Sequence, residues 1–499
     1  MSDVERKHLG RKTVTGGFAT GLTHVTLAAL NLCGLFILAR FVRPSDFGLI
    51  AKVAAATSIL SIVGDMGLSV ATIQSFRLNP EQRSALFWVN VAIASLVSII
   101  MALSAPLISA FYGDARAAPV TYVFALNVML VGFGAQHTAI LKRELRFPSI
   151  AIVNVIAATI GLLTATIAAV VFNMGYWSLL LQTVMSSASN TLGYWISSRW
   201  FPRFNLEFSS IRRHMRVGGN FTIASFINHL ARTGDDVLIG KYCGEQTLGY
   251  YSKAYELLLM PMRKLMAPMS QVAVPALSRL QSHPEEYRNF FRKGISIAMV
   301  LQLPIVCFAA MSGGDIILTI LGPAWRPSIP LFHALVPNLL ASSTAPATQW
   351  VFVSTGSTDR LVKMVTVNSL CVFIAFVFGL QYGAVGVAWA FSITTCLTRV
   401  PSILYCFHGT PLRAHDFFPL MLAPGLCSVL AATVSFVLTI SLASYPPPAR
   451  LLIQFTSFAI TYIFCVSFTA AGREVGRQAQ WFARSTASQI LCKIKMETA

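Results

Sequence analysis

Arg232, Asp235 and Asp236 crowd into five residues of the stretch "NHLARTGDDVLIGKY" (228–242), in a segment otherwise apolar enough to cross a membrane. Arg232 precedes Asp235 by three residues and Asp236 by four, a helical spacing that lets it pair with either. An ionisable group at bilayer depth costs about 2.5–3.5 kcal/mol on insertion scales, so such groups mark a binding or coupling function, or a structural clasp. The next apolar run, "YYSKAYELLLMPMRKLMAPM" (250–269), adds Lys253, Glu256, Arg263 and Lys264. Steps of 7 from Glu256 to Arg263 and of 11 from Lys253 to Lys264 place them on one broad helical stripe. The first part of the chain contributes Arg40, Arg43, Lys52 and Asp65. Seven cations (Arg40, Arg43, Lys52, Arg232, Lys253, Arg263 and Lys264) thus face four acids (Asp65, Asp235, Asp236 and Glu256). Pairing alone does not account for the excess. Arginine grips phosphate through two parallel N–H donors and lysine adds a point charge, so the cations form a candidate site for an anionic substrate. The four acids balance that charge, or bind a proton or sodium ion as a coupling element. The competing reading is a clasp in which the charges only neutralise one another and lock helices together.

The elements that must position these groups are membrane helices. The chain has 499 residues, 55% hydrophobic and 11% charged, against about 25% charged in a soluble domain. It is expected to be an all-α integral membrane protein. Apolar runs of about 20 residues are the signature of a membrane span. They fall at 14–39, 47–74, 84–110, 119–141, 148–172, 175–197, 217–240, 248–276, 293–311, 328–353, 361–380, 383–405, 418–442 and 450–471. That makes about 14 transmembrane helices. Of the 38 Lys and Arg residues, 26 fall on one side of these spans, 8 on the other and four inside them. The asymmetry puts both termini in the cytoplasm, and it explains the net charge of +19 without nucleic acid. The nine cysteines are scattered and form no CxxC pair, so no disulfide framework or zinc site is expected. No Walker motif, GxSxG or HExxH occurs, and the loops are short. The chain reads as a transporter with no cofactor and no metal site, not an enzyme.

An internal repeat organises the spans. "ILARFVRPSDFGLIAKV" (37–53) aligns with "LIGKYCGEQTLGYYSKA" (238–254) at an offset of 201, with Gly48 on Gly249 and Lys52 on Lys253. "SAFYGDARA" (109–117) aligns with "LTILGPAWR" (318–326) at an offset of 209, with Gly113 on Gly322. A repeat of six spans keeps both halves in the same orientation. The expected architecture is two six-helix lobes related by a pseudo-two-fold axis along the membrane normal around a central cavity, plus two C-terminal helices. The segments are a cytoplasmic N-terminus (1–13), an N-lobe (14–197), a basic linker (198–216), a C-lobe (217–405), two extra helices (418–471) and a basic cytoplasmic tail (472–499).

Five segments, "ILARFVRPSDFGLIA" (37–51), "GDMGLSVATIQ" (64–74), "LKRELRF" (141–147), "DDVLIGKYCGEQTLGYYSKAYELL" (235–258) and "PALSRLQ" (275–281), resemble the recurrent segments of Wzx-type polysaccharide exporters. These are flippases of the multidrug/oligosaccharidyl-lipid/polysaccharide superfamily, and the likeness is nearest to the colanic-acid and succinoglycan exporters. The resemblance covers roughly residues 10–410. It places Arg40, Asp65, Asp235, Gly240, Lys241, Gly249 and Tyr250 in matched segments, and leaves Arg263 and Lys264 to the charge argument alone. It implies movement of undecaprenyl-diphosphate-linked oligosaccharide repeat units outward across the bacterial inner membrane, for exopolysaccharide or capsule biosynthesis. It also implies the membrane lipid, a polysaccharide polymerase and chain-length or export proteins as partners. Two alternatives remain at this level. A cation-coupled drug or small-molecule antiporter of the same superfamily predicts a net-acidic cavity. A membrane-embedded polymerase or glycosyltransferase predicts a large outer loop.

Overall fold

A computed structural model describes residues 25–63, 79–204, 233–440 and 444–469, with isolated positions beside them. It shows fifteen helices and no strand among the described residues. They are α1 (Val25–Phe41), α2 (Pro44–Val63), α3 (Pro80–Tyr112), α4 (Ala117–Arg143), α5 (Phe147–Val170), α6 (Tyr176–Ser198), α7 (Gly234–Tyr242) and α8 (Glu245–Arg279). They continue with α9 (Pro284–Ile320), α10 (Ser328–Ser343), α11 (Ala345–Ser354), α12 (Thr358–Gly379), α13 (Gly383–Phe407), α14 (Pro419–Ile440) and α15 (Pro447–Ser467). α10 and α11 are one span broken at Thr344, because Pro346 offers no N–H to continue the helical ladder. Counted so, fourteen helical segments follow the order of the apolar runs; the run 217–240 lies largely outside the described residues, which show only its end as α7.

Seven helical stretches are long and apolar enough to cross a membrane by length and composition alone. One of them, Thr358–Phe407, contains both α12 and α13, folded back at the single turn Leu380–Tyr382. The more polar helices include those with candidate chemistry. α8 carries Lys253, Glu256, Arg263 and Lys264, and α6 carries Gln182, Ser186, Ser187 and Asn190. The largest departure from the sequence reading is α9. The apolar run there covers 293–311, yet the helix runs for 37 residues, about 55 Å at 1.5 Å per residue. Its added first turns are amphipathic. Tyr287, Phe291 and Ile295 recur every fourth residue and are buried, while Glu285 and Glu286 stay exposed.

The chain forms two compact units. The first comprises residues 1–253 with 320–325 and 376–387. In it α3 packs on α4, α5 on α6, and α4 on α6. Leu49 and Val53 of α2 are buried against Ala117, Val120 and Leu180. The second comprises 254–319, 326–375 and 388–499. Its core gathers Tyr287, Phe291, Trp350, Phe352, Phe407 and Phe417. α14 and α15 pack together, and the Tyr462 hydroxyl donates to the Val300 carbonyl at 2.6 Å. Asp416, fully buried, ties the turn after α13 to α9 by accepting from Arg288 Nε at 2.7 Å and from the Arg413 amide at 2.9 Å. Burial works to raise its pKa, but these hydrogen bonds outweigh it and hold the carboxyl below the ordinary range.

Candidate functional site

The repeat-related glycines meet. A Cβ on Gly48 would lie 1.7 Å from the Glu245 carbonyl oxygen, and one on Gly249 would lie 2.0 Å from the Pro44 carbonyl oxygen. Glu245 is the counterpart of Pro44 at the offset of 201, so the two contacts are the same contact seen from either half. The first turns of α2 and α8 therefore cross backbone to backbone about a local two-fold, and only glycine permits that approach. Trp325 seals the flank of this seam. It is fully buried, packs edge-on against Phe47 at 5.4 Å and Tyr250 at 5.9 Å, and its indole N–H donates to the Ala39 carbonyl at 2.9 Å.

A ring of four charges lies beside the seam. Lys52 is 4% exposed, and its ammonium donates to Asp114 at 2.6 Å and to Glu245 at 3.2 Å. Arg116 closes the ring, with Nε on Asp114 at 3.1 Å and Nη2 on Glu245 at 2.8 Å. Burial pushes the Asp114 carboxyl upward, but hydrogen bonds from Lys52 and Arg116 prevail and hold it well below the usual carboxylate range. The Arg116 guanidinium is raised above its ordinary value, chiefly by its hydrogen bond to Glu245 and then by Asp114. Glu245 comes from the second half of the repeat and the other three from the first. The ring thus ties the halves together at the end where α3 gives way to α4 and α7 to α8.

The sequence-predicted residues divide. Lys52 belongs to this ring. Lys253, half-buried, holds its ammonium 4.9 Å above the Phe47 ring, and exposed Arg40 lies 3.8 Å over Phe36. Arg43 is exposed nearby. Asp235 is buried and accepts from the Tyr251 hydroxyl at 2.7 Å, while Asp236 beside it is half-buried. Farther along α8, Glu256 and Arg263 are exposed and Lys264 is half-buried. Arg232 and Asp65 lie outside the described residues, so the pairing of Arg232 with the aspartates does too. Of the residues carried over from the resemblance, Gly240, Lys241, Gly249 and Tyr250 gather at the seam. Gly240 lets α7 approach Lys52, Lys241 donates to the Phe111 carbonyl, and Gly249 and Tyr250 take part as described. Sequence reasoning missed Asp114, Arg116 and Glu245. Their signal is position, since Asp114 and Arg116 stand in the matched segment 109–117, just after Gly113, and Glu245 falls on Pro44 within the matched segment 238–254.

Between α4 and α6 the first unit also holds a hollow of about 450 Å³, lined by Asn127, Thr138, Lys142, Asn190, Thr191 and Tyr194 among others. The side-chain carbonyl oxygens of Asn127 and Asn190 have no partner among the described residues. Apolar residues, Val128, Val131, Ala135 and Ala139, share its wall with these neutral hydrogen-bonding groups and the one lysine.

The protein WzxC of Escherichia coli, a lipopolysaccharide biosynthesis protein, is 24% identical over 402 residues, covering 79% of this chain and 80% of that one. The teichuronic acid biosynthesis protein TuaB of Bacillus subtilis is 20% identical over 460 residues, covering 91% and 95%. Among solved structures, the lipid II flippase MurJ in an inward closed conformation superposes with a TM-score of 0.71 at 14% identity, over 91% of this chain and 98% of that one. An inward-facing multidrug transporter of the MOP superfamily superposes with a TM-score of 0.65 at 11% identity, over 78% and 97%. The fold is therefore that of these two-lobed membrane transporters. Residues 37–330 match the family described as Polysaccharide biosynthesis protein, more than half of the chain, and this protein belongs to that family.

Proposed function

We propose that this protein is a flippase that moves undecaprenyl-diphosphate-linked oligosaccharide repeat units outward across the bacterial inner membrane, for exopolysaccharide or capsule assembly. The observation that carries the reading is the two-fold seam. A transporter that exposes a headgroup site to one side at a time needs an end that closes reversibly, and paired glycines with a ring of ion pairs supply such a closure. The lipid tail stays in the bilayer while the diphosphate-sugar headgroup crosses between the lobes of residues 14–197 and 217–405. Arg263 and Lys264 form no ion pair with a carboxylate among the described residues, which favours an anionic cargo. With the inside negative, moving two phosphate charges outward is favourable by about 4–5 kcal/mol per 100 mV. The Asp235–Asp236 pair is the candidate for proton or sodium coupling.

Two measurements test this. Cells lacking the protein should lose polymer and accumulate lipid-linked repeat units on the cytoplasmic leaflet; unchanged polymer with no accumulation would sink the proposal. The seam should face outward, with both termini cytoplasmic. Reporter fusions after Arg146 should then read as cytoplasmic and those after Gly113 and Tyr445 as external. A cytoplasmic signal at Gly113 would invert the proposed direction of closure.

A further inference from the structure

An arginine stands inside the second unit with no acid among the described residues to neutralise it. Arg399 lies on α13, eight residues before Phe407, hence about 12 Å from that end of a helix about 37 Å long. That depth is within the hydrocarbon core, which is about 30 Å thick. The helix has two faces. Trp389, Ile393, Leu397, Val400 and Leu404 form an exposed apolar stripe suited to lipid. Ser392, Cys396, Arg399, Ser402 and Cys406 form the opposite, packed stripe. Arg399 is on the packed stripe, so it does not simply reach for the bilayer surface.

Its partners are neutral. Nε donates to the Thr344 hydroxyl and Nη2 to the Thr348 hydroxyl at 3.4 Å. Both hydroxyls spend their own protons on backbone carbonyls, Thr344 on Ala341 at 2.7 Å and Thr348 on Ala345 at 3.0 Å. Nη1 donates to nothing among the described residues, and no carboxylate pairs with the guanidinium there. Elsewhere in the same unit the arginines facing inward are matched, Arg288 by Asp416 and Arg450 by Asp315. Arg399 is half-buried. The threonines hold it at the break between α10 and α11, where the ladder is already interrupted. The repeat sharpens the point. The turn glycines Gly175 and Gly383 lie 208 residues apart, and the same offset carries Arg399 back to Thr191, which lines the hollow of the first unit. Where the first half has a hydroxyl, the second has a fixed cation.

We infer that Arg399, held by Thr344 and Thr348, is a phosphate-binding station of the second half, receiving the phosphate group of a lipid during its passage. On the flippase reading above, on which this rests, that group belongs to the polyprenyl diphosphate. A resident phospholipid carries the same chemistry, and the experiment separates the two. The planar fork orients two phosphate oxygens, and the ligand brings the negative charge that the protein omits.

The test uses the full chain in nanodiscs of uncharged phosphatidylcholine, with undecaprenyl diphosphate and phosphatidylglycerol as separate probes. Arg399→Met should weaken undecaprenyl diphosphate binding tenfold or more, and Arg399→Lys by less, since it keeps the charge and loses the fork. Thr348→Val, which retains the arginine, should weaken it about threefold. Phosphatidylglycerol binding should not change. The melting temperature of Arg399→Met should equal or exceed that of the wild type, because an uncompensated charge has left the membrane. Undiminished undecaprenyl diphosphate binding by Arg399→Met and Thr348→Val overturns the station and leaves the flippase reading standing. A loss confined to phosphatidylglycerol assigns the site to resident lipid and overturns it too. Wild-type protein that binds no undecaprenyl diphosphate sinks both.

Discussion

Replacing Gly48 with leucine is expected to abolish polymer export while the protein still reaches the membrane. The added Cβ would sit 1.7 Å from the Glu245 carbonyl oxygen, a backbone atom that cannot swing aside as a flexible side chain would. Overpacking a well-filled site costs about 1–3 kcal/mol, occasionally more. Here the obstacle is main chain on both sides of the seam, so the upper end applies. A penalty of about 3 kcal/mol on the closed arrangement shifts the closed-to-open ratio more than a hundredfold, at about 1.4 kcal/mol per tenfold. A transporter that cannot close one end leaves its headgroup site open to that side, and the cycle stops. The two-fold relation makes a second expectation. Gly249→Leu should match Gly48→Leu, because its Cβ meets the Pro44 carbonyl in the same way. Gly314→Ala, where the nearest atom lies 3.9 Å away, is the control and should export normally. The measurements are polymer yield at matched protein level and labelling of Cys243, the residue after α7, by a membrane-impermeant thiol reagent. Both leucine variants should lose polymer and gain label. Normal export by Gly48→Leu would mean that the seam does not close tightly during transport.

Several features of this arrangement are legible in the amino-acid sequence. Apolar runs locate the described membrane helices because a bilayer imposes one length on every helix that crosses it. They underestimate α9, since an apolar run stops where the helix becomes amphipathic, and the turns carrying Tyr287 and Phe291 project beyond it. The repeat points to the seam, as Gly48 and Gly249 match by position and touch in the fold. The charge ring is not legible. Its members stand at 52, 114, 116 and 245, and ion pairing across such separations is a product of the fold. Asp235 makes the same point more locally. The helical spacing offers Arg232, which lies outside the described residues, but not the hydrogen bond from Tyr251 on the next helix. Arg399 is visible as a charge inside a span, but its meaning depends on the neutral threonines around it. Those threonines sit beside a helix break that hydropathy does not register, because Pro346 stands in an apolar run like any other residue.

The charge ring separates two kinds of damage. Lys52→Met leaves Asp114 and Glu245 without their shared ammonium, and the Asp114 side chain is only 13% exposed. Removing one partner of a buried pair costs about 3–5 kcal/mol, because the remaining charge stays desolvated. Lys52→Met should therefore lower the melting temperature of the detergent-solubilised protein substantially. Adding Asp114→Asn should restore much of the loss by removing the stranded charge, so the double-mutant cycle should show strong coupling. Glu245→Gln should behave differently. Its partners Lys52 and Arg116 retain Asp114, so the first half keeps its internal pairs and only the tie to the second half weakens. That variant should fold, melt close to the wild type, and expose Cys243 to the thiol reagent. Acidification distinguishes the ring from a titrating switch. Asp114 is held below the ordinary carboxylate range, so its stabilisation is present above the unfolded value of about 3.9 and is lost only as pH falls through the lower folded value. Between pH 8 and 5 this group should therefore leave the melting temperature unchanged. If Lys52→Met melts with the wild type and Cys243 in Glu245→Gln labels no faster than in the wild type, the ring neither supports the first half nor ties it to the second. Closure would then rest on the glycine crossing and Trp325 alone.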